Sequence, residues 1–276
     1  MKNILQLYED RTESILKIRL QDELNSCIKL INLIVKHSCH NPKTDVECVD
    51  TIMLMRMVRD LRCILMMVSR GYATQSASLA AGLTEQLGAL AIVSGNEENA
   101  QEWKHQSRRK NNKKIKWHFP SKANMGGNNR NENVELYKNA FIKGLVVTTW
   151  DPKDAVEFVN RRIVNAYSVL CKAKHADPKR EILDHICQVD KSLVIGSIPL
   201  QDDLQTSSLR MTIAVSTFLV SQAYWIYMWH HSEAEVIHLR HREYKTCEAV
   251  VVFQMDRAYK DFTDSCKRGD EGISSK

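Results

Sequence analysis

Residue types able to move a proton or hold a phosphate gather in a few short stretches of this chain. The segment CKAKHADPKREILDH, from Cys171 to His185, contains His175, Arg180 and His185. In metal-independent RNA cleavage a histidine acts as general base or acid on a ribose 2′-hydroxyl, and an arginine stabilises phosphate charge. The Arg180-x4-His185 spacing serves that chemistry poorly on a regular helix, where residues five apart lie about 140° apart around the axis. Arg180 is better placed to pair with Asp184, and Glu181 with His185, both at i,i+4. Asp177 as cap, Pro178 at the first helical position and Ile182, Leu183 and Ile186 facing inward describe a short helix start. His175 is the first choice for proton transfer, with Arg180 and His185 as runners-up. Its plainer role is a cap at a helix carboxyl end, where protonated histidine is favoured.

Two further groups bear on anion chemistry. Glu85 stands in a mostly uncharged stretch, ATQSASLAAGLTEQLGALAIVS, and a carboxylate buried there needs a partner. The arginines of the preceding segment, Arg56 and Arg59, are the expected ones, although Arg56 and Asp60 also stand four apart and can pair. The second group is a run without any acid from Lys104 to Asn131. Arg108, Arg109, Lys110, Lys113, Lys114 and Lys116, with Trp117 beside them, suit phosphate contacts and stacking on an unpaired base. A solvated surface loop whose aromatics tuck back onto the protein is the competing reading. No metal is expected: His37, Cys39, His40 and Cys48 lack paired Cys-x2-Cys spacing and read as a loop.

The elements that must position these groups are helical. The chain has 276 residues, 43% hydrophobic and 26% charged, with only 10 Gly and 5 Pro, too few punctuators for a turn-rich β architecture. A net charge of +6 is modest, so steering toward nucleic acid would have to be local. The eight cysteines are scattered, and the charged, amphipathic amino terminus carries no signal-peptide pattern; reduced cytoplasmic thiols are expected.

Apolar positions Ile4, Leu7, Ile15, Ile18, Leu24, Ile28, Ile31 and Val35 predict a long amphipathic helix over 2–37, with room for one break. Thr44 or Asp45 caps a largely buried helix from Val46 to Arg70, which Gly71 ends. A small-residue helix over 73–94 follows, and Asn96 caps a short one. Further helices are predicted at about 132–143 and from Asp151-Pro152 to Lys174. In the latter, Val156, Val159, Ile163, Ala166, Leu170 and Ala173 form one core face. Residues 188–201 read as irregular, and VVVF at 250–253 fits the final helix as well as a strand. The uncharged run from Met211 to Trp229 approaches membrane-spanning length, but its Thr, Ser and Gln content points to a buried central helix within 202–231. The expectation is an all-α protein: a single large bundle of about seven or eight helices over 1–266. Its core would be 45–186, with a flexible basic loop at 112–131 and a disordered tail at 267–276.

Two of these segments together resemble a known family. RMVRDLRCILMMVSRGYATQSASLAAGLTEQL is similar to a helix–Gly–helix signature with a Glu in its second helix. YSVLCKAKHADP resembles the Tyr-x2-Leu-x3-Lys-His-x2-Pro signature that accompanies it. The pair resembles a bacterial all-helical family of unknown function, loosely near the HEPN and abortive-infection-type bundles of toxin and phage-defence systems. That resemblance implies that Arg59, Glu85, Tyr167 and His175 gather in one pocket, but no established reaction. Three functions remain open: a HEPN-like RNA-binding or RNA-cleaving protein, a non-catalytic helical interaction module, and a small-anion or nucleotide binder beside Glu85. No cofactor or membrane contact is expected, and a homodimer is compatible with each.

Overall fold

The computed structural model describes residues 4–38, 41–94, 96–106, 165–174, 186–189, 192–195, 203–232 and 249–265, with positions 151, 153, 157, 243, 244 and 247. The helices are α1 (Ile4–Arg19), α2 (Gln21–Ser38), α3 (Asp45–Ser69), α4 (Ala73–Val93), α5 (Glu97–Gln106), α6 (Asn165–Lys174) and α7 (Asp203–His231), followed by α8 over 249–265. The fold is all-α, as composition and periodicity predict. One small addition departs from that expectation. Strands β1 (Ile186–Val189) and β2 (Ser192–Ile195) form an antiparallel pair in which Ile186 faces Ile195 and Val189 faces Ser192. The region read as irregular therefore begins with a hairpin, and Ile186 belongs to a strand rather than to a helix start. Four-residue strands give too short an alternation to stand out in a helical sequence.

Local signals set most helix ends. Thr44 accepts a bond from the Glu47 backbone amide at 3.1 Å, and the Lys43 amide donates to the Glu47 carboxylate at 2.7 Å. Gly71, at φ 86°, supplies the left-handed turn that separates α3 from α4. Asn96 caps α5 by accepting from the Asn99 amide at 2.9 Å. The long amino-terminal helix breaks once, at Leu20.

Helix α7 is the centre of the bundle, with α2, α3 and α4 packed on it. Every residue from Met211 to Met228 is buried. A helix with so many hydroxyls tolerates this because the hydroxyls return to its own carbonyls: Thr212 to Ser208, Ser216 to Thr212, Thr217 to Ile213 and Ser221 to Phe218, at 2.7–2.9 Å. Helix α4 brings α3, α6 and α7 close through buried Ala73, Ala77, Ala80, Ala81 and Gly88. Gly82 is not part of that contact, since a Cβ there would meet nothing within 4 Å. By length and composition α4 could cross a membrane, yet 56% of its apolar window is buried inside the bundle.

Of the apolar positions that predict the amino-terminal helix, Leu24 and Ile31 are buried, but the buried face is otherwise made by other residues. Thr12, Leu16, Leu20, Leu24, Cys27 and Leu30 face the core. Leu7, Ile18, Ile28 and Val35 remain 41–78% exposed. The buried positions keep three- and four-residue spacing across the turn at Leu20, so one stripe runs through both helices. There the Leu20 and Leu24 amides still bond four residues back, at 2.8 and 2.9 Å.

Candidate functional site

Of the residues expected to share a pocket, the structure joins Glu85 and Tyr167. Glu85 projects from α4 toward α6, where Tyr167, Cys171 and Lys174 follow one another at four- and three-residue spacing and so share a helix face. Lys174 Nζ lies 2.5 Å from Glu85 Oε1, and the Tyr167 hydroxyl donates to the same oxygen at 3.3 Å. Glu85 and Lys174 are 26% and 33% exposed, so the ion pair lies at the edge of the bundle rather than in its core. Burial pushes the Tyr167 phenol well above the ordinary tyrosine value; Cys171 and the negative charge of Glu85 add to the shift. Tyr167 is therefore a donor, not a base. Burial also raises the Cys171 thiol, against the opposing effects of Tyr167 and Lys174, which leaves it a poor nucleophile.

The partner of Glu85 is a lysine from across the bundle, not an arginine of α3. Arg56 and Arg59 are exposed on α3 and contact neither Glu85 nor any acid among the described residues. The expected Arg56–Asp60 pair does not form. Asp60 turns toward α4 and accepts from Gln86 Nε2 at 2.6 Å. Positions 56 and 60 lie only about 40° apart around the helix axis, so the pair is lost because Gln86 of α4 engages Asp60 while the Arg56 side chain stays in solvent. His175, Arg180, His185, the basic run from Arg108 to Trp117 and the predicted 132–143 helix lie outside the described residues.

A second polar cluster was not apparent from spacing. Asp50 of α3 is fully buried, and its Oδ2 accepts from Ser94 Oγ at 2.5 Å and lies 2.7 Å from His231 Nε2. The ring of Tyr227 lies 5.1 Å from that of His231, and Thr51 donates to the Tyr227 hydroxyl at 3.4 Å. The serine donates to the aspartate rather than to the histidine, so the cluster lacks the order in which an imidazole activates a hydroxyl nucleophile. Its evident work is to fasten the start of α3, the end of α4 and the end of α7. The available signal was Asp50 as an acid close to a strongly apolar run and His231 closing an uncharged one; their 181-residue separation concealed the pairing. A third tie joins His37 Nδ1 to the buried Tyr224 hydroxyl, with Glu243 at 3.7 Å from Nε2. His37 therefore belongs to α2 and Cys48 to α3 rather than to one loop, and Cys39 and His40 lie outside the described residues.

Each of these polar groups meets another part of the same chain. Most of their donors and acceptors are engaged in tertiary bonds, whereas Asp50 Oδ1 is buried without a hydrogen-bond partner among the described residues. No protein-family model, curated protein or solved structure matches this chain.

Proposed function

We propose that this chain is a cytoplasmic helical module that binds an anionic polymer, RNA in the first instance, and that Glu85, Tyr167 and Lys174 are structural rather than catalytic. The observation that carries this reading is a contrast in how charges are used. Glu85 is held by two donors, whereas Arg56 and Arg59 stand in solvent on one face of α3 without an acidic partner among the described residues. Unpaired arginines gain most from phosphate oxygens, which release counterions and match the guanidinium fork. The acid-free run that follows Lys104, itself paired with Asp45 at 2.7 Å, supplies further cations in sequence.

A second reading, metal-independent cleavage at His175, draws support from the Glu85–Lys174 contact, because Lys174 ties the chain immediately before that histidine to α4. One experiment separates the two. Purified protein is incubated with single-stranded RNA, and both binding and chain length are followed across a salt series. The binding reading expects intact RNA and an affinity that falls with salt. Arg56→Gln and Arg59→Gln should each lower the log–log salt slope by about 0.7. RNA degradation lost in His175→Ala, with His185→Ala unaffected, would replace the binding reading by the cleavage one. Salt-independent binding would sink the phosphate role altogether.

A further inference from the structure

Helix α2 leans on α7, and the contacts run in step along both helices. Arg210 Nε lies 3.3 Å from Glu23, Cys27 meets Thr217, and His37 meets Tyr224. This docking leaves a groove of about 510 Å³ between α2 and α3. Its apolar lining is Ile28, Ile31 and Val35 from α2 and Leu65 from α3. The three α2 residues recur at three- and four-residue spacing, so they form one continuous strip. Asn32, Lys36 and Arg62 complete the lining, and no acid contributes to it. Lys36 and Arg62 are exposed and have no ion-pair partner among the described residues. Ile28 and Val35 remain 43% and 41% exposed beside them.

The lining narrows the class of occupant. No aromatic ring is present to stack on a base, and a single amide is too little to sort the hydroxyls of a sugar. Ile28 to Lys36 spans only about 12 Å of helix, short for the roughly 800 Å² that a partner protein buries on each side. The volume falls within the range of small-ligand sites, which are apolar with a few directed polar groups. The two cations, one from each wall, complement a negative head. Arg62 can receive a carboxylate through two parallel N–H bonds.

We propose that the α2–α3 groove binds a fatty acid: an alkyl chain along Ile28, Ile31, Val35 and Leu65, with its carboxylate at Arg62 and Lys36. Arg62 lies one helical turn from Arg59 of the RNA reading, but the ligand differs, and decanoate binding succeeds or fails independently of RNA binding.

The test is calorimetric titration of the full chain with decanoate, with decanol and inorganic phosphate as controls. Decanoate should bind saturably, decanol about tenfold more weakly, and phosphate without measurable heat. Arg62→Gln combined with Lys36→Gln should reduce decanoate to the level of decanol. Val35→Asp, at an exposed position, should weaken both. Equal binding of acid and alcohol, or decanoate binding unchanged in the double variant, would overturn the assignment. So would association with phosphatidylserine vesicles in the absence of decanoate binding, which would assign the face to a bilayer.

Discussion

At the residue scale, burial decides which groups remain chemically available. Cys27 is fully buried, and that burial pushes its thiol up to about 12, so the thiolate needed for attack is almost absent at neutral pH. Cys63, on the outer face of α3, is exposed. Iodoacetamide should therefore modify Cys63 in the native protein and Cys27 only after unfolding. Peptide mass spectrometry at increasing urea would check this, and early modification of Cys27 would contradict its placement. Sequence periodicity left Cys27 without a special role, because it fell outside the apolar positions that defined the expected helix. Tertiary packing against α7 gave it one.

At the element scale, polar pairs locate helices that apolar packing alone would leave free to slide. Glu85–Lys174 joins α4 to α6, and Asp50 joins α3 to the ends of α4 and α7. The first pair is partly solvated, so a double-mutant cycle of Glu85→Gln and Lys174→Met should give a coupling of about 1 kcal/mol in urea unfolding. A coupling near zero would show that Tyr167 alone holds Glu85. The need for a partner at Glu85 was legible from its uncharged surroundings. The identity of that partner was not, since a residue 89 positions away is invisible to local spacing while Arg56 and Arg59 are near in sequence. The caps at Thr44, Gly71 and Asn96 were legible for the opposite reason: each acts within a few residues of itself.

At the scale of the whole molecule, the titrating groups at the bundle's end make stability depend on pH. Partial burial holds His230 below its ordinary value of 6.5; Asp50 opposes this shift and His231 adds to it. The unfolded chain then binds more protons here than the folded one, so this contribution is complete above about pH 6.5 and is lost as the pH falls through the folded value. The urea midpoint should decrease between about pH 7.5 and pH 5.5, and His230→Asn should flatten that part of the profile. An unchanged slope in the variant would place the effect elsewhere. Asp45, lowered by its bonds to Lys104 and Gln101, acts further into acid: its contribution is present above 3.8 and fades below it. By itself the sequence determined the helical class, most helix boundaries and the burial of α7, because these follow from caps, propensities and periodicity that operate within a few turns. Only the tertiary structure decided that Lys174 rather than an arginine meets Glu85, that Asp50 and His231 meet at all, and that Ile28 and Val35 line an open groove. Those outcomes depend on the angle at which one helix crosses another, which is fixed by the whole set of side chains packed between them.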